Sequence, residues 1–397
     1  MEDICPINKC TGCGACAQVC AHSAITLQPD ACGYMYPLVE EEKCVNCGLC
    51  QKSCPSLSFN ERHYPINSLA VTCKSEEETL SCASGGAATL LSIAVIKQGG
   101  VVYGCDGTDI RNVHHVRVDR VDELKCLKGS KYVQSFMGDT YKNIKADLQV
   151  GLKVFFIGTP CQVAGLYGFL HYKVYENLYT ADLVCHGVPS QQMLNDNIDL
   201  YTENKGDECI IRFREKLLQR VKSKRDAVYR ITYGWFFQNQ PYVKAPLFRP
   251  YKEDPYMLGF ISGLTFRPNC YECRYASVAR VADLTLSDFW GLSENAGFDK
   301  GKGVSNILVN TNQGQKLWDI TKTDTIFKER SLMESVNGNG QLNTPSMRHP
   351  EHDRFVSLYP KVGFEKAVRD CSITYLEKEK IRTVVKSLLS FAKKVIR

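Results

Sequence analysis

Short apolar runs, glycine-rich turns and amphipathic segments divide the chain into an N-terminal stretch and a longer, regularly patterned region. Residues 1–58 show little apolar periodicity, and a polar link at 56–67 follows them. The strands predicted beyond this link, from apolar runs of the buried type, cover 70–73, 101–105, 152–157 and 179–184. Helices are predicted at 87–97, after Gly85 and Gly86, and from the 158–161 turn to His171. Strands that alternate with glycine-rich turns and helices predict an α/β core.

Two of the predicted strands are followed directly by cysteines. Cys161 lies in the turn after strand 152–157, and Cys185 follows strand 179–184. Ligands of α/β sheets bind beyond the carboxyl ends of the strands. Both thiols are therefore expected at a ligand site.

The pattern changes from about residue 208. Segments 209–214 and 227–237 predict a hairpin, and shorter strands are predicted at 284–286 and 307–309. The connection of the hairpin is strongly basic, with Lys216, Arg220, Lys222, Lys224 and Arg225. Solvated loop charge is the expected role of these residues, and contact with an acidic substrate or an acidic redox partner is the alternative.

The C-terminal segment 376–397 predicts an amphipathic helix with one basic face. Its apolar face consists of Ile381, Val384, Val385, Leu388, Leu389, Ala392 and Val395. We expect the helix to dock on its own domain or on a twin subunit, and a helix lying on a membrane surface is the alternative.

Two cysteine runs carry the strongest chemical signal of the sequence. They are Cys10-x2-Cys13-x2-Cys16-x3-Cys20 and Cys44-x2-Cys47-x2-Cys50-x3-Cys54-Pro55. This spacing is typical of proteins with two cubane iron–sulfur clusters, in which the fourth cysteine of each run binds the other cluster. Cys10, Cys13, Cys16 and Cys54 are therefore assigned to the first [4Fe–4S] site, and Cys44, Cys47, Cys50 and Cys20 to the second.

Structural zinc and disulfides are weaker interpretations of these runs. Zinc usually takes two cysteine pairs separated by a longer gap. Cysteines as closely spaced as these are also poorly placed for disulfide geometry. Cys5 and Cys32 fall outside the pattern and are expected to be spare thiols.

Composition and charge narrow the protein class. With 397 residues the chain can form two or three domains, and ten of its twenty cysteines precede residue 55. The N-terminus lacks a signal peptide, and no apolar run is long enough to span a bilayer, so a reducing cytoplasm is expected. The formal charge of +6 falls to about +2 once two clusters, each of roughly −2, are bound. Nucleic-acid binding is not indicated.

A further cysteine pair, Cys270 and Cys273, lies about 85 residues after Cys185. By spacing alone it fits structural zinc, a redox dithiol or a cluster. Together with Cys161 and Cys185 it makes four thiols that could converge on one cube.

Five ordered motifs resemble the beta subunit of the coenzyme F-420 hydrogenase/dehydrogenase family over about 69–355. The motifs are Ser84-Gly85-Gly86, Gly129-Ser130-Lys131-Tyr132-Val133-Gln134-Ser135, Gly158-Thr159-Pro160-Cys161-Gln162, Cys185-His186-Gly187-Val188-Pro189-Ser190 and Cys270-Tyr271-Glu272-Cys273. Members of this family bind FAD and a cubane cluster, and they pass electrons between iron–sulfur centres and a substrate that accepts hydride. Some relatives reduce pigment side chains, and many bacterial relatives lie beside exopolysaccharide genes.

This resemblance implies roles for particular residues. It implies that Cys161, Cys185, Cys270 and Cys273 hold a third [4Fe–4S] cluster. It places Ser84, Gly85 and Gly86 near the flavin phosphates, where glycines and a helix N-terminus favour an anion. The remaining FAD-binding candidates are Lys131, Tyr132, Thr159 and Gln162. Lys131 could also stabilise a reduced flavin, and His186 could donate a proton, so these two are the catalytic candidates.

One segment departs from the family pattern. The bulky Phe289 and Trp290 stand where members that use the deazaflavin tend to have a glycine-containing stretch. The sequence therefore does not predict that coenzyme F-420 is the substrate.

The sequence thus predicts a mixed α+β and α/β protein with four parts. These are a bacterial-type two-cluster ferredoxin domain (1–58), two parts of a flavin-binding core (66–150 and 151–360) and a helical tail (361–397). The expected function is that of an iron–sulfur flavoprotein oxidoreductase that relays electrons between clusters and FAD and exchanges hydride with a substrate. A redox partner protein or a small hydride acceptor or donor is the expected partner, and a homo-oligomer is compatible with the chain.

Two alternatives to this function remain open at the level of the sequence. The chain could be a non-enzymatic electron-transfer subunit that feeds a separate catalytic partner. It could also be a degenerate scaffold in polysaccharide assembly, which would require empty core cysteines.

Overall fold

The computed structural model describes residues 4–58, 61–203, 209–219, 228–239 and 247–395. The strands are β1 (Ile25–Pro29), β2 (Met35–Val39), β3 (Asn67–Cys73), β4 (Val101–Asp106), β5 (His114–Val118), β6 (Val154–Gly158), β7 (Leu178–Leu183), β8 (Cys209–Gln219), β9 (Val228–Asn239), β10 (Leu247–Pro250), β11 (Leu284–Asp288), β12 (Ser305–Val309) and β13 (Thr325–Glu329).

The α-helices are α1 (Ala15–Val19), α2 (Leu49–Lys52), α3 (Glu76–Ser81), α4 (Ala87–Ile96), α5 (Thr140–Gln149), α6 (Pro160–Phe169), α7 (Gln191–Ile198), α8 (Pro255–Ser262), α9 (Asn312–Thr321), α10 (Leu332–Gly338), α11 (His352–Val362) and α12 (Phe364–Val395). Short 3-10 helices lie at Ile7–Lys9, Glu41–Lys43, Val121–Leu127, Pro268–Glu272, Glu294–Ala296, Lys300–Lys302, Lys322–Asp324 and Gly340–Leu342.

The centre of the molecule is an eight-stranded mixed sheet with the order β13-β3-β12-β11-β7-β6-β4-β5. Strands β4, β6, β7 and β11 are parallel, and the flanking pairs are antiparallel. The parallel strands are largely buried, as is usual for parallel sheets: β4 and β6 are mainly apolar, whereas β7 and β11 bury the polar Thr180, Asp182 and Thr285. Their carboxyl ends meet at one edge, so the turns that carry Cys161 and Cys185 lie side by side.

Local sequence explains where the two helices beside this edge begin. Helix α6 starts with Pro160 at its first position and with a capping box in which Thr159 and Gln162 satisfy each other's backbone N–H groups. Helix α4 follows Gly86, whose φ of 90° is a left-handed conformation that other residues rarely adopt.

The N-terminal module, with its β1–β2 hairpin, packs directly on the core. Two glycines of α6 permit this approach: a Cβ at Gly168 would lie 2.2 Å from the carbonyl oxygen of Ser53, and one at Gly165 would lie 3.0 Å from the sulfur of Cys13. Hydrogen bonds across the contact include Gln134 Nε2 to the Thr11 oxygen (2.8 Å) and the Tyr34 hydroxyl to the Thr265 oxygen (3.0 Å). The module and the core therefore form one packed unit around their shared thiols.

The observed elements confirm the predicted mixed α/β fold class. The predicted strands and helices of the core occur within a few residues of the expected bounds, and the hairpin strands β8 and β9 are longer than expected. A second antiparallel sheet, of order β10-β9-β8, lies across the open side of the core. Much of the basic connection (220–227), including Arg220, Lys222, Lys224 and Arg225, lies outside the described residues.

The C-terminal helix is longer than predicted, because α12 begins at Phe364. Its first turns bury Phe364, Ala367, Val368 and Cys371 in a core cluster with residues of α7, α8 and α11. Further along, Ile381 and Val385 are 64% and 47% exposed. Most of the predicted apolar face (Val384, Leu388, Leu389, Ala392, Val395) lies outside the described side chains. Among the described residues, no helix combines the length and the apolar character that crossing a bilayer requires.

Candidate functional site

The first thiol group lies between the N-terminal module and the core. Cys10, Cys13, Cys16 and Cys54 border one small pocket. The negative charges of their thiolates raise one another's pKa: Cys13 and Cys54 act on Cys16, and Cys54 acts on Cys13, although burial is the largest cause in both. This convergence is the donor set that a cubane cluster needs.

Cys5 lies close to the first thiol group, and its role as a spare thiol stays a prediction. It borders the same pocket and hydrogen-bonds to both Cys10 and Cys54. Cys32, by contrast, is buried in an apolar cluster away from the thiol groups, with its sulfur 3.7 Å from the Val356 oxygen.

A buried guanidinium adjoins the first thiol group. Arg267 is 0% exposed. It donates to the Cys10 oxygen (Nε, 2.8 Å), the Met35 oxygen (Nη2, 2.9 Å) and Gln134 Oε1 (Nη1, 3.3 Å), and Nη2 lies 3.6 Å from Cys10 Sγ. Its positive charge helps to lower the pKa of Cys10, after the hydrogen bond from Cys5. The charge therefore favours the thiolate that metal binding requires.

The second thiol group consists of Cys20, Cys44, Cys47 and Cys50 and lies nearer the surface. Cys44 and Cys47 help to raise the pKa of Cys50 by charge repulsion, although burial contributes more. Cys20 and Cys50 pack in one apolar cluster with Cys16 and Cys54, so the first and second groups are neighbours. Of the cysteines in the described parts of the chain, Cys47 alone is exposed.

The third thiol group brings together residues that are far apart in the sequence. Cys161 starts α6, Cys185 follows β7, and Cys270 and Cys273 lie on or after the short helix Pro268–Glu272. The pKa of Cys161 is raised to about 12 and that of Cys185 to about 11, chiefly by burial and in smaller part by neighbouring thiolates. Cys270 has a raised pKa for the same reasons, with Cys185, Cys161 and Cys273 all contributing. The four thiols thus act on one another through their charges, and their binding of one cluster stays a prediction.

The third group could hold a cubane cluster because cations offset part of its charge. Arg280 helps to lower the pKa of both Cys185 and Cys273, and Arg267 does the same for Cys161. Arg280 is itself buried in an ion pair with Asp182 (2.9 Å). In the described residues, no three His, Cys, Asp or Glu side chains are arranged to share a single metal ion, as a zinc site would require.

The first and third groups are close to each other. The charges of Cys54 and Cys161 both raise the pKa of Cys13, after burial. Cys13 lies in one apolar cluster against which Cys161 and Cys273 pack. The three groups thus form a series that runs from exposed Cys47 to the interior.

A cavity of about 790 Å³ opens beside the third group. Gly158, Thr159 and Gln162 border it next to Cys161, and Val184 and His186 border it on either side of Cys185. Of the predicted flavin-binding and catalytic residues, the cavity wall includes Ser84, Gly86, Lys131, Tyr132, Thr159, Gln162 and His186. Gly85 instead packs on the sheet, where a Cβ would lie 2.1 Å from the Val71 oxygen. The volume is in the range of cofactor pockets.

Positive groups gather around the turn 84–86 at the other end of the cavity. Lys216 donates through Nζ to the Ser84 oxygen at 2.6 Å and also hydrogen-bonds to the Thr79 oxygen. Desolvation lowers the pKa of Lys216 to about 8. The prediction that this lysine is solvated loop charge is therefore wrong, because β8 carries it to the cavity turn. Lys128 and Arg214 also border the cavity.

Lys131 is buried in the wall of the cavity. Its Nζ donates to the Lys128 oxygen (2.9 Å) and the Cys126 oxygen (3.2 Å). Desolvation lowers its pKa. The amine is thus held by backbone carbonyls next to the turn 129–131.

A chain of hydrogen bonds connects the cavity wall to Cys161. His115 Nδ1 lies 2.9 Å from Ser135 Oγ, which accepts from Gln162 Nε2 at 3.0 Å. Gln162 Oε1 accepts from Thr159 Oγ1 at 3.0 Å, and Thr159 Oγ1 lies 3.2 Å from Cys161 Sγ. Burial lowers the pKa of His115 to about 4, so its imidazole is neutral at neutral pH. Thr159 and Gln162 are thereby placed to orient the Cys161 thiolate.

The open side of the cavity is aromatic and charged. Trp290 is 49% exposed and borders the cavity, whereas Phe289 is buried in a separate cluster. Arg214 forms a bidentate pair with Asp288 (2.6 and 2.8 Å) and lies over the ring of Tyr233. The Arg214 Nε is buried without a partner. Burial lowers the pKa of His186, which favours its neutral form.

Several of these residues carry no signal in the sequence. Arg267, Arg214, Asp288 and His115 lie outside every cysteine or glycine motif. Each reaches its position through strand pairing or through a contact more than seventy residues away in the chain. Arg214 lies on the predicted strand 209–214, but nothing in the sequence indicated that it would pair with Asp288.

Two family models match this chain, one in the core and one in the N-terminal module. Residues 151–335 match the family described as the C terminus of the Coenzyme F420 hydrogenase/dehydrogenase beta subunit. The resemblance predicted from the motifs is thus confirmed, and residues 9–57 match the 4Fe-4S dicluster domain. The N-terminal module is an iron–sulfur domain, and the chain is an electron-transfer protein of the oxidoreductase type.

A solved structure similar to this chain comes from the xenon-derivatised F420-reducing [NiFe] hydrogenase complex of Methanosarcina barkeri. The identity is 16%, the TM-score is 0.45, and the match covers 80% of this chain and 94% of that chain. No curated protein matches the chain significantly.

Proposed function

We propose that this chain is an iron–sulfur flavoprotein oxidoreductase that moves electrons between the surface at Cys47 and a substrate in the cavity. The path would use three [4Fe–4S] clusters, held by the three thiol groups, and FAD. The observation that carries this proposal is the position of the cavity, whose wall includes the residues on both sides of Cys161 and Cys185. A flavin supplies the exchange between single electrons and hydride that such a path needs.

The residues at the thiol end of the cavity support this proposal. Thr159 and Gln162 hold the start of α6 through the capping box and so fix Cys161 relative to the cavity. Arg267 and Arg280 place positive charge beside the buried thiolates, which water cannot solvate. Buried charges require such partners.

The residues at the opposite end fit the phosphates of a dinucleotide. Gly86 caps α4, so the first free N–H groups of that helix face the turn 84–86. Lys216 adds positive charge at the same turn, and Lys128 lies close by, where it donates to Ser81 Oγ and pairs with Glu78. A helix N-terminus with nearby cations is a common site for phosphate.

His186 borders the cavity beside Cys185 and can exchange a proton. Its lowered pKa keeps the imidazole neutral, so it can accept a proton from a substrate that loses hydride and return it in the reverse direction. Trp290 offers a planar apolar surface at the open side, which favours a substrate with a flat ring.

Anaerobic reconstitution tests the proposal. We expect about twelve irons per chain, as three cubane clusters require, together with FAD that is released on denaturation. Replacement of Cys161 by Ser should remove about four of these irons and leave the two N-terminal clusters intact. About eight irons and no bound flavin in the unmodified protein would instead show an electron carrier that serves a separate enzyme.

A further inference from the structure

Two cysteines outside the three thiol groups meet at the phosphate end of the cavity. Cys73 is the last residue of β3, and Cys82 directly follows α3. Each thiol shifts the pKa of the other, as close neighbours do. A Cβ at Gly86 would lie 2.3 Å from Cys73 Sγ and 3.4 Å from Cys82 Sγ, so both sulfurs adjoin the same point of the turn.

The two thiols have different surroundings. Cys82 borders the cavity and contacts Thr89 Oγ1 at 3.5 Å and Glu78 Oε1 at 3.6 Å. Cys73 lies deeper, with its sulfur 3.4 Å from the Gly85 oxygen. Lys128 and Lys216 face the pair, and Glu78 is the nearest carboxylate. Cys82 is therefore the thiol that a reagent in the cavity reaches first.

We propose that Cys73 and Cys82 form a reversible disulfide, a redox site of this protein separate from the iron–sulfur groups. The oxidant is a low-molecular-weight disulfide such as oxidised glutathione. The Cys82 thiolate attacks one sulfur of that disulfide and releases one thiolate, and the Cys73 thiolate then displaces the second. Two cysteine thiols and one small disulfide thus give one protein disulfide and two small thiols.

The surroundings of the pair favour this order of attack. The hydrogen bond from Cys73 is the largest cause that lowers the pKa of Cys82 to about 7, with smaller contributions from Thr89 and Lys128. A cysteine with a lowered pKa in a partly open, positively charged site is the typical reactive thiol. In a reducing compartment, pairs of this kind are usually transient and regulatory rather than structural.

Oxidation would act on the cavity through the turn 84–86. The disulfide would link Cys73, at the end of β3, to Cys82, two positions before this turn. Lys216 and the cap of α4 hold the same turn. The ratio of oxidised to reduced glutathione around the protein would thereby control how the phosphate end of the cavity opens.

Peptide mapping of the intact protein tests the proposal. The purified holoprotein is equilibrated without oxygen in glutathione buffers of increasing oxidised fraction, quenched with acid, alkylated and digested with trypsin. Because trypsin cleaves at Arg62, Lys74 and Lys97, the disulfide would join the peptides 63–74 and 75–97. We expect this joined species to appear with oxidation and to disappear on return to reduced glutathione.

Three variants give the controls. Cys73→Ser and Cys82→Ser should each abolish the joined species completely, and Cys126→Ser, which removes a half-buried thiol near the same cavity, should leave it unchanged. Cys73→Ser should leave Cys82 carrying a mixed disulfide with glutathione. The proposal is overturned if both thiols are alkylated at every buffer ratio, or if the unmodified protein accumulates only the mixed disulfide. These outcomes do not depend on the flavin, so they are separate from the test of the proposed function.

Discussion

Replacing Arg267 by Gln should lower the reduction potential of the first N-terminal cluster more than that of the other two. Arg267 is fully buried, and its Nη2 lies 3.6 Å from the sulfur of Cys10. A reduced cluster carries one more negative charge than an oxidised one. The guanidinium therefore stabilises the reduced form, and its loss should make the cluster harder to reduce.

The magnitude follows from the geometry. A unit charge about 4 Å from another is worth about 4 kcal/mol at the effective dielectric constant near 20 that suits proteins. The added electron spreads over the whole cluster and does not sit at Cys10 alone. We therefore take about a third of that energy, roughly 1.4 kcal/mol, as the interaction between Arg267 and the added electron. For one electron this corresponds to about 60 mV.

The assay is an anaerobic potentiometric titration of the holoprotein, followed by electron paramagnetic resonance. Arg274→Gln is the matched control, because Arg274 also joins the module to the core but donates to the Pro55 and Ser56 oxygens rather than to a sulfur. Iron content is measured in parallel, since removal of a buried cation can destabilise the fold. An Arg267→Gln protein with all its iron and an unshifted first cluster would refute the reasoning, as would an equal shift in the control.

Three further predictions follow from contacts of the same kind. Gly168→Ala should destabilise the docking of the module by about 1–3 kcal/mol, because the new Cβ would meet the Ser53 carbonyl. Gly340→Ala is the control, because its Cβ would meet nothing within 4 Å. Denaturant unfolding monitored by cluster absorbance compares the two variants. Lys216→Met should weaken FAD binding about tenfold, because it removes a charge that attracts phosphate. In the unmodified protein the affinity for FAD should fall as the pH rises through about 8, because the lysine then loses its charge. An unchanged affinity in fluorescence titrations at pH 6.5 and 9 would count against a phosphate site at the turn. Cys5→Ser should keep the full iron content while Cys54→Ser loses the first cluster, and iron loss from Cys5→Ser would mean that Cys5 is a ligand.

Sequence reasoning succeeded where the chemistry depends on close spacing. The runs that start at Cys10 and Cys44 fold around local turns, so spacing alone predicts which thiols share a site. The turn after β6 was likewise predicted from its local sequence, which places Cys161 at the start of a helix. Strands β4 and β6 were predicted for a similar reason, because the apolar residues of these buried parallel strands are consecutive in the sequence.

Spacing cannot predict contacts that depend on packing between distant elements. Arg267 meets Cys10 across 257 positions, and Lys216 meets Ser84 across 132. A basic residue in an alternating strand gives no sign of which carbonyl it will reach. Edge strand β13 was missed because four of its five residues are exposed, and β5 because two histidines and an arginine interrupt its apolar pattern. Cys5 was set aside because its distance from the first run fits no cluster motif.

Burial explains why arginines occur where they do along the series of thiol groups. A cubane cluster with four thiolates brings about −2 charges, and an uncompensated buried charge is costly. At the second group, exposed Cys47 lets water screen this charge. The first and third groups lie inside the molecule, and there Arg267 and Arg280 act on the thiolates directly. The same guanidiniums that make burial tolerable also favour reduction of the inner clusters. Electrons that enter at Cys47 would therefore be drawn inward toward the cavity by the charges that the fold needs in any case.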